Sequence, residues 1–139
     1  MDPARYTGRF QEISSKNVLV IDSDVVFGQS LKSALERVHF GVNLQQDADL
    51  ALQQLQHHSY DLIILDSFWN HATVDSLVTT IRNTCEAIVI VCATIGFAEV
   101  ANRCRKAGAA AYLVKNSNDI SSLLVNIIAH TSTQVAHRV

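Results

Sequence analysis

DLIILD, residues 61–66, is the stretch that decides the fold. Four consecutive apolar residues between two acids are too few for a buried helix and suit a strand covered on both faces. Comparable runs stand on either side: NVLVID at 17–22, AIVIVC at 87–92 and AAYLV at 110–114, with a weaker VNLQQ at 42–46. Between them the apolar spacing changes to that of a helix. Phe27, Leu31, Leu35 and Val38 mark a helix over Val25–Val38, with Gly41 expected to break it. Asp47 or Asp49 is placed to cap a second helix, with Leu52 and Leu55 inward and an end near His58. Leu77, Val78 and Ile81 mark a third, and Phe97 to Lys106 a fourth that stops at Gly108. Asn118 or Asp119 caps a fifth, whose inner face is Ile120, Leu123, Leu124, Ile127 and Ile128. Strand and helix alternating five times predict right-handed βαβ units and one doubly wound (βα)5 sandwich around a five-stranded parallel sheet. The domain is expected over residues 17–130, with polar tails at 1–16 and 131–139.

The chain of 139 residues has the size of one domain. At 48% hydrophobic and 17% charged it can fill a core, which excludes a disordered class. A net charge of −2 without a Lys/Arg block gives no nucleic-acid footprint. Cys85, Cys92 and Cys104 are odd in number and lack CxxC spacing, so free buried thiols are expected rather than zinc ligands or disulfides. The start, MDPARYTGRFQEISSK, has no apolar core of a signal peptide, and AIVIVCA is too short to span a bilayer. A soluble cytoplasmic protein without membrane contact is the expectation.

In a doubly wound sheet, chemistry gathers outside the carboxyl ends of the strands, at the point where strand order reverses. Asp22 closes the first strand, with Ser23 and Asp24 beyond it. Asp66 closes the third, Cys92 the fourth with Thr94 two residues on, and Lys115 follows the fifth. Neighbouring carboxylates repel, and a hard divalent cation relieves them, Mg²⁺ suiting one or two carboxylates plus a phosphate. Asp22, Asp24 and Asp66 with Lys115 leave −2, which one Mg²⁺ would cancel; should Asp24 turn away, as the cap of the first helix, −1 remains and the ion is held less strongly.

VLVIDSD, DLIILD and GAAAYLVK stand in the order and spacing of the receiver domain of two-component response regulators, and the chain resembles that family over about residues 17–130. The resemblance implies a flavodoxin-like receiver fold. It also implies phosphoryl transfer from a histidine kinase or phosphotransfer protein to Asp66, a signalling domain rather than a turnover enzyme. Asp22 and Asp66, with Asp24 as a further candidate, would hold Mg²⁺; Lys115, with Cys92 or Thr94, would contact the phosphate. Tyr112 falls at the aromatic position that changes rotamer in such domains, biasing the fourth helix, fifth strand and fifth helix. Receivers often pair through that face. Arg103, Arg105, Lys106 and Asp119 are too few balanced charges to specify a homodimer here, and it stays open.

Four positions depart from the family pattern. Ser23 stands where a second acid is usual. The loop SFWNHATVDS lacks the usual proline and glycines and carries Phe68 and Trp69, whose rings either pack on the core edge, cover Asp66 or offer an aromatic anchor. Cys92 replaces a hydroxyl, forfeiting a hydrogen bond of about 0.5–1.5 kcal/mol unless Thr94 supplies it. Asn116 replaces a proline with a cis bond; a cis bond before a non-proline costs about 2.5–4 kcal/mol, so a trans bond is expected. Trp69 and His71 read as incidental to metal binding. The alternative function is a pseudo-receiver, a protein-interaction module working without phosphorylation. A nucleotide or flavin enzyme would need a phosphate loop that DSDVVFGQS does not supply.

Overall fold

The computed structural model describes residues 16–115 and 119–137, with residues 132–137 described as backbone. Five parallel strands form one sheet in the order β2-β1-β3-β4-β5: β1 Asn17–Ile21, β2 Gly41–Gln45, β3 Leu62–Asp66, β4 Ile88–Ala93 and β5 Ala111–Val114. The helices between and after them are α1 Val25–Arg37, α2 Ala48–Leu55, α3 Val74–Thr84, α4 Ala98–Ala107 and α5 Ile120–His137. The doubly wound five-stranded architecture expected from the sequence is the one observed.

The two-residue period of the strands divides the core in two. Leu19, Ile21, Ile63, Leu65, Val89 and Val91 face α2, α3 and α4, meeting Ala51, Leu55, Leu77, Val78, Ile81 and Cys104. Val18, Val20, Leu62, Ile64, Ile90 and Cys92 face α1 and α5, meeting Phe27, Leu31, Leu35, Leu123 and Ile127. Every residue of β3 and β4 is buried, as strands covered on both faces must be. β1 is the central reversal: β2 lies on one side of it and β3 on the other, so the ends of β1 and β3 flank the switch point.

The helix ends refine the expectations. Asp47 caps α2 by accepting from the Leu50 N–H, while Asp49 lies in its first turn. Asp119 accepts from the Ser122 N–H at the start of α5; Asn118 lies outside the described residues. Gly108 ends α4 with φ of 116°, a left-handed conformation glycine takes without cost. Gly41 does not end α1. His39 takes the left-handed position at φ 72°, its N–H donating to the Glu36 carbonyl, and Gly41 opens β2 instead. The last helix also runs to His137, past the boundary expected at 130, since no Gly or Pro interrupts residues 120–137. The expected tail over residues 1–15 and the bond between Lys115 and Asn116 lie outside the described residues.

Candidate functional site

Three charged side chains from separate strand ends meet at the switch point. Asp22 follows β1, and its backbone N–H extends that edge by donating to the Gln45 carbonyl. Asp66 is the last residue of β3, opposite Cys92 in register. Lys115 follows β5, and its backbone N–H donates to the Ala93 carbonyl at 2.7 Å, which fixes where the side chain leaves the sheet. The Lys115 ammonium then lies 2.8 Å from Asp22 Oδ2 and 3.1 Å from Asp66 Oδ1, bridging the two carboxylates.

All three are buried, the side chain of Lys115 being 8% exposed, and each charge keeps a partner. Asp22 Oδ1 accepts from the Asp24 N–H at 2.9 Å and Asp66 Oδ1 from the Ser67 N–H at 2.8 Å. The ammonium also stands 4.5 Å from the ring centroid of Phe27, in the first turn of α1, a cation–π contact. Burial lifts the Asp22 carboxyl to a pKa of about 6. The Lys115 and Asp24 N–H groups pull it back, and the charge of Asp66 pushes it up further. Burial draws the Lys115 ammonium down, but the hydrogen bond and charge of Asp22, with those of Asp66, more than offset it and hold the ammonium above the ordinary lysine value.

Asp24 stands beside this group. Its Oδ1 accepts from the Phe27 N–H at 3.1 Å and caps α1, and the residue lines the same cleft as Asp66 and Lys115. Ser23 is exposed at the rim. Among the described residues no three His, Cys, Asp or Glu side chains come together as a metal group. Asp22 and Asp66 offer hard oxygen donors, and with Lys115 they sum to −1, so the residues fit Mg²⁺ as the two-carboxylate kind of site that needs a phosphate to complete it.

Cys92 is fully buried in the core beside this centre, and burial pushes its thiol up to about 12, Lys115 pulling down and the two aspartates pushing up. It is a neutral apolar filler there. Thr94 lies just beyond β4, exposed, and lines a cleft of about 440 Å³ with Asp66, Lys115, Phe68, Phe97 and Tyr112. Of the two candidates at the end of β4, Thr94 is the one on the open side. Tyr112 is half-buried; its hydroxyl donates to the Ile95 carbonyl at 3.4 Å and accepts from the Phe97 N–H at 3.5 Å, tying β5 to the β4–α4 connection.

The rings of the loop after Asp66 divide. Phe68 is 71% exposed, whereas Trp69 packs half-buried on the α2–α3–α4 side of the core and donates its indole N–H to the Asp66 carbonyl at 2.7 Å. Sequence reasoning took Trp69 as incidental and Phe27 as an ordinary core residue. Only an aromatic near each site acid hinted otherwise, and aromatic residues are common in any core.

The family model described as "Response regulator receiver domain" matches residues 18–128. The chain belongs to the response-regulator receiver family. It is a receiver domain of two-component signalling, and its fold is shared by many solved structures. A two-component response regulator from Clostridium difficile is 24% identical, with a TM-score of 0.77 over 84% of this chain and 95% of that one. A CheY-like receiver domain protein from Methanospirillum hungatei is 22% identical, with a TM-score of 0.80 over 88% of this receiver and 98% of its own length. A response regulator from Burkholderia pseudomallei, solved with a phosphorylated aspartic acid, calcium ion and citrate, is 27% identical, with a TM-score of 0.74 over 89% and 73%. A comparison with curated proteins finds no match. No helix of the described residues is long and apolar enough to cross a membrane.

Proposed function

We propose that this receiver accepts a phosphoryl group on Asp66 from a histidine kinase or phosphotransfer protein in the cytoplasm. The observation that carries the reading is the Lys115 ammonium held at 2.8 and 3.1 Å from the buried Asp22 and Asp66 carboxylates, beside a cleft that Asp66 lines. Asp66 Oδ1 is occupied by Lys115 and the Ser67 N–H; among the described residues no hydrogen bond is made to Oδ2, which leaves that oxygen to attack. Transfer would break the donor's P–N bond and form a P–O bond, the histidine nitrogen keeping the electron pair. Lys115 would neutralise charge growing on the phosphoryl oxygens, and Thr94 stands on the cleft to donate its hydroxyl. Asp22 and Asp66 would hold Mg²⁺, whose chemistry when bound is to offset the negative charge brought together at the site. The Burkholderia relative, with its phosphorylated aspartic acid and calcium ion, supports both parts of this reading.

The phosphate would then act as a switch rather than as an intermediate of turnover. Lys115 drawn towards it would shift β5, and Tyr112 on the same strand would release or exchange its bonds to the β4–α4 connection. A homodimer through α4, β5 and α5 would compete for Arg103 with its exposed pairs to Asp75 and Glu99 of its own chain, each worth about 1 kcal/mol or less; light scattering after size exclusion, with and without phosphodonor, tests it.

A second reading, a pseudo-receiver that binds partners without phosphate, is favoured by Ser23 and by the capping role of Asp24, which commits one of its oxygens to α1. One experiment separates them. Protein with millimolar Mg²⁺ is given a small phosphodonor or beryllofluoride, and mass and Trp69 fluorescence are followed. A phosphoryl adduct absent from Asp66→Asn supports the switch; an unmodified mass and unchanged emission overturn it in favour of the pseudo-receiver.

A further inference from the structure

We propose that Trp69 is a positioning residue for Asp66, an inference that rests on the reading of Asp66 as phosphoacceptor. β3 ends at Asp66, where the pairing with Cys92 is the last of the ladder. The carbonyl there belongs to a residue only 5% exposed, and a buried carbonyl needs a donor. Trp69 supplies it at 2.7 Å through the one polar group an indole has.

The bond runs from a carbonyl to a side chain three residues on, the span of a β-turn. It closes a loop, Ser67 to Ala72, that holds neither glycine nor proline and has Ser67 and Asn70 as its turn-favouring residues. The Trp69 ring is held by the α2–α3–α4 side of the core, so the donor is anchored to packed structure and not to the loop alone.

The same peptide unit is held at its other end. The carbonyl of residue 66 and the N–H of residue 67 belong to one plane. The indole grips the carbonyl, and the N–H donates to Asp66 Oδ1 at 2.8 Å. Donation to the carbonyl polarises the peptide and strengthens the N–H as a donor in turn. This clamp turns Oδ1 inward towards Lys115 and keeps Oδ2 for the incoming phosphorus. Tryptophan therefore does here what a stiff turn residue would do in a loop of ordinary composition.

The test uses Trp69→Phe, which keeps a ring in the core and deletes the N–H. The Ser67 amide should exchange with deuterium about tenfold faster, relative to amides within α3, and the affinity for beryllofluoride with Mg²⁺, read by fluorine NMR, should fall about tenfold. Trp69→Leu, studied below its melting transition, should release the Ser67 amide to the same extent, because the N–H and not ring packing does the holding. Wild-type exchange at Ser67 in Trp69→Phe would overturn the inference, as would unchanged beryllofluoride affinity in that variant. Should the unaltered protein bind no beryllofluoride while Ser67 still responds, the clamp on the Asp66 peptide stands and the phosphoacceptor reading fails.

Discussion

The buried centre of this receiver and the loops that frame it have been treated differently. Asp22, Asp66 and Lys115 make one closed group in which each charge has a partner within 3.1 Å. Of the departures from the family pattern, Ser23 and the stretch after Asp66 lie in loops at the rim of this group, while Cys92 lies within β4. Asp24 caps α1 from the rim of the cleft, Trp69 closes the loop that lacks proline and glycine, and Cys92 fills core space as a neutral thiol. The lesson is that a buried charge, more than burial as such, constrains its neighbours. A buried ion that loses its partner is costly, while a rim residue can be replaced by any group that satisfies the same amide or carbonyl.

Breaking the centre should have the largest effect. Lys115→Met leaves two carboxylates buried without their cation and should destabilise the fold by roughly 3 kcal/mol at neutral pH, read by urea denaturation. A loss under 1 kcal/mol would mean the bridge is far more hydrated than its burial implies.

The next largest effect has the opposite sign. Burial raises the Asp22 carboxyl from 3.8 to about 6 in the folded state. The folded protein therefore binds a proton more tightly than the unfolded chain, and this group's contribution to stability falls as pH rises from about 4 to 6 and stays low above it. Asp22→Asn should gain about 2 kcal/mol in metal-free protein at pH 7, less than the roughly 3 kcal/mol a two-unit shift carries, because an amide accepts more weakly from Lys115. The gain should vanish near pH 4, and Mg²⁺ should no longer raise the melting temperature. Equal stability of the two proteins from pH 4 to 7 would argue against a strained carboxylate.

Rim substitutions sharpen the contrast. Asp24→Ala removes a helix cap and should cost about 1 kcal/mol while leaving Mg²⁺ affinity unchanged, which calorimetric titration measures. A drop in Mg²⁺ affinity would return Asp24 to the site. Phe68→Ala should change stability by less than about 0.5 kcal/mol in urea, since the ring is 71% exposed.

Much of this was legible beforehand because it follows from local pattern. The strands announced themselves through apolar runs such as LIIL at 62–65, and the helices through spacings such as Leu123 with Ile127. Strand ends on a parallel sheet point to one edge, so Asp22, Asp66 and Lys115 could be grouped before any coordinates. Hydrogen-bond choices were not legible. Asp24 was open as ligand or cap, and the start of α1 gives it the cap through one of its two oxygens. Gly41 looked like the residue to end α1, but the chain turned at His39, two residues earlier.

The order of apolar runs by itself determined the architecture and which residues would share its rim, because two-residue and 3.6-residue periods are properties of the backbone alone. Tertiary structure alone decided what those residues do to one another. It set Lys115 between two buried carboxylates, turned Phe27 under its ammonium, and carried the Trp69 indole back to the carbonyl of Asp66. These contacts join side chains whose directions depend on how helices settle on the sheet, a matter of packing that no spacing along the chain encodes.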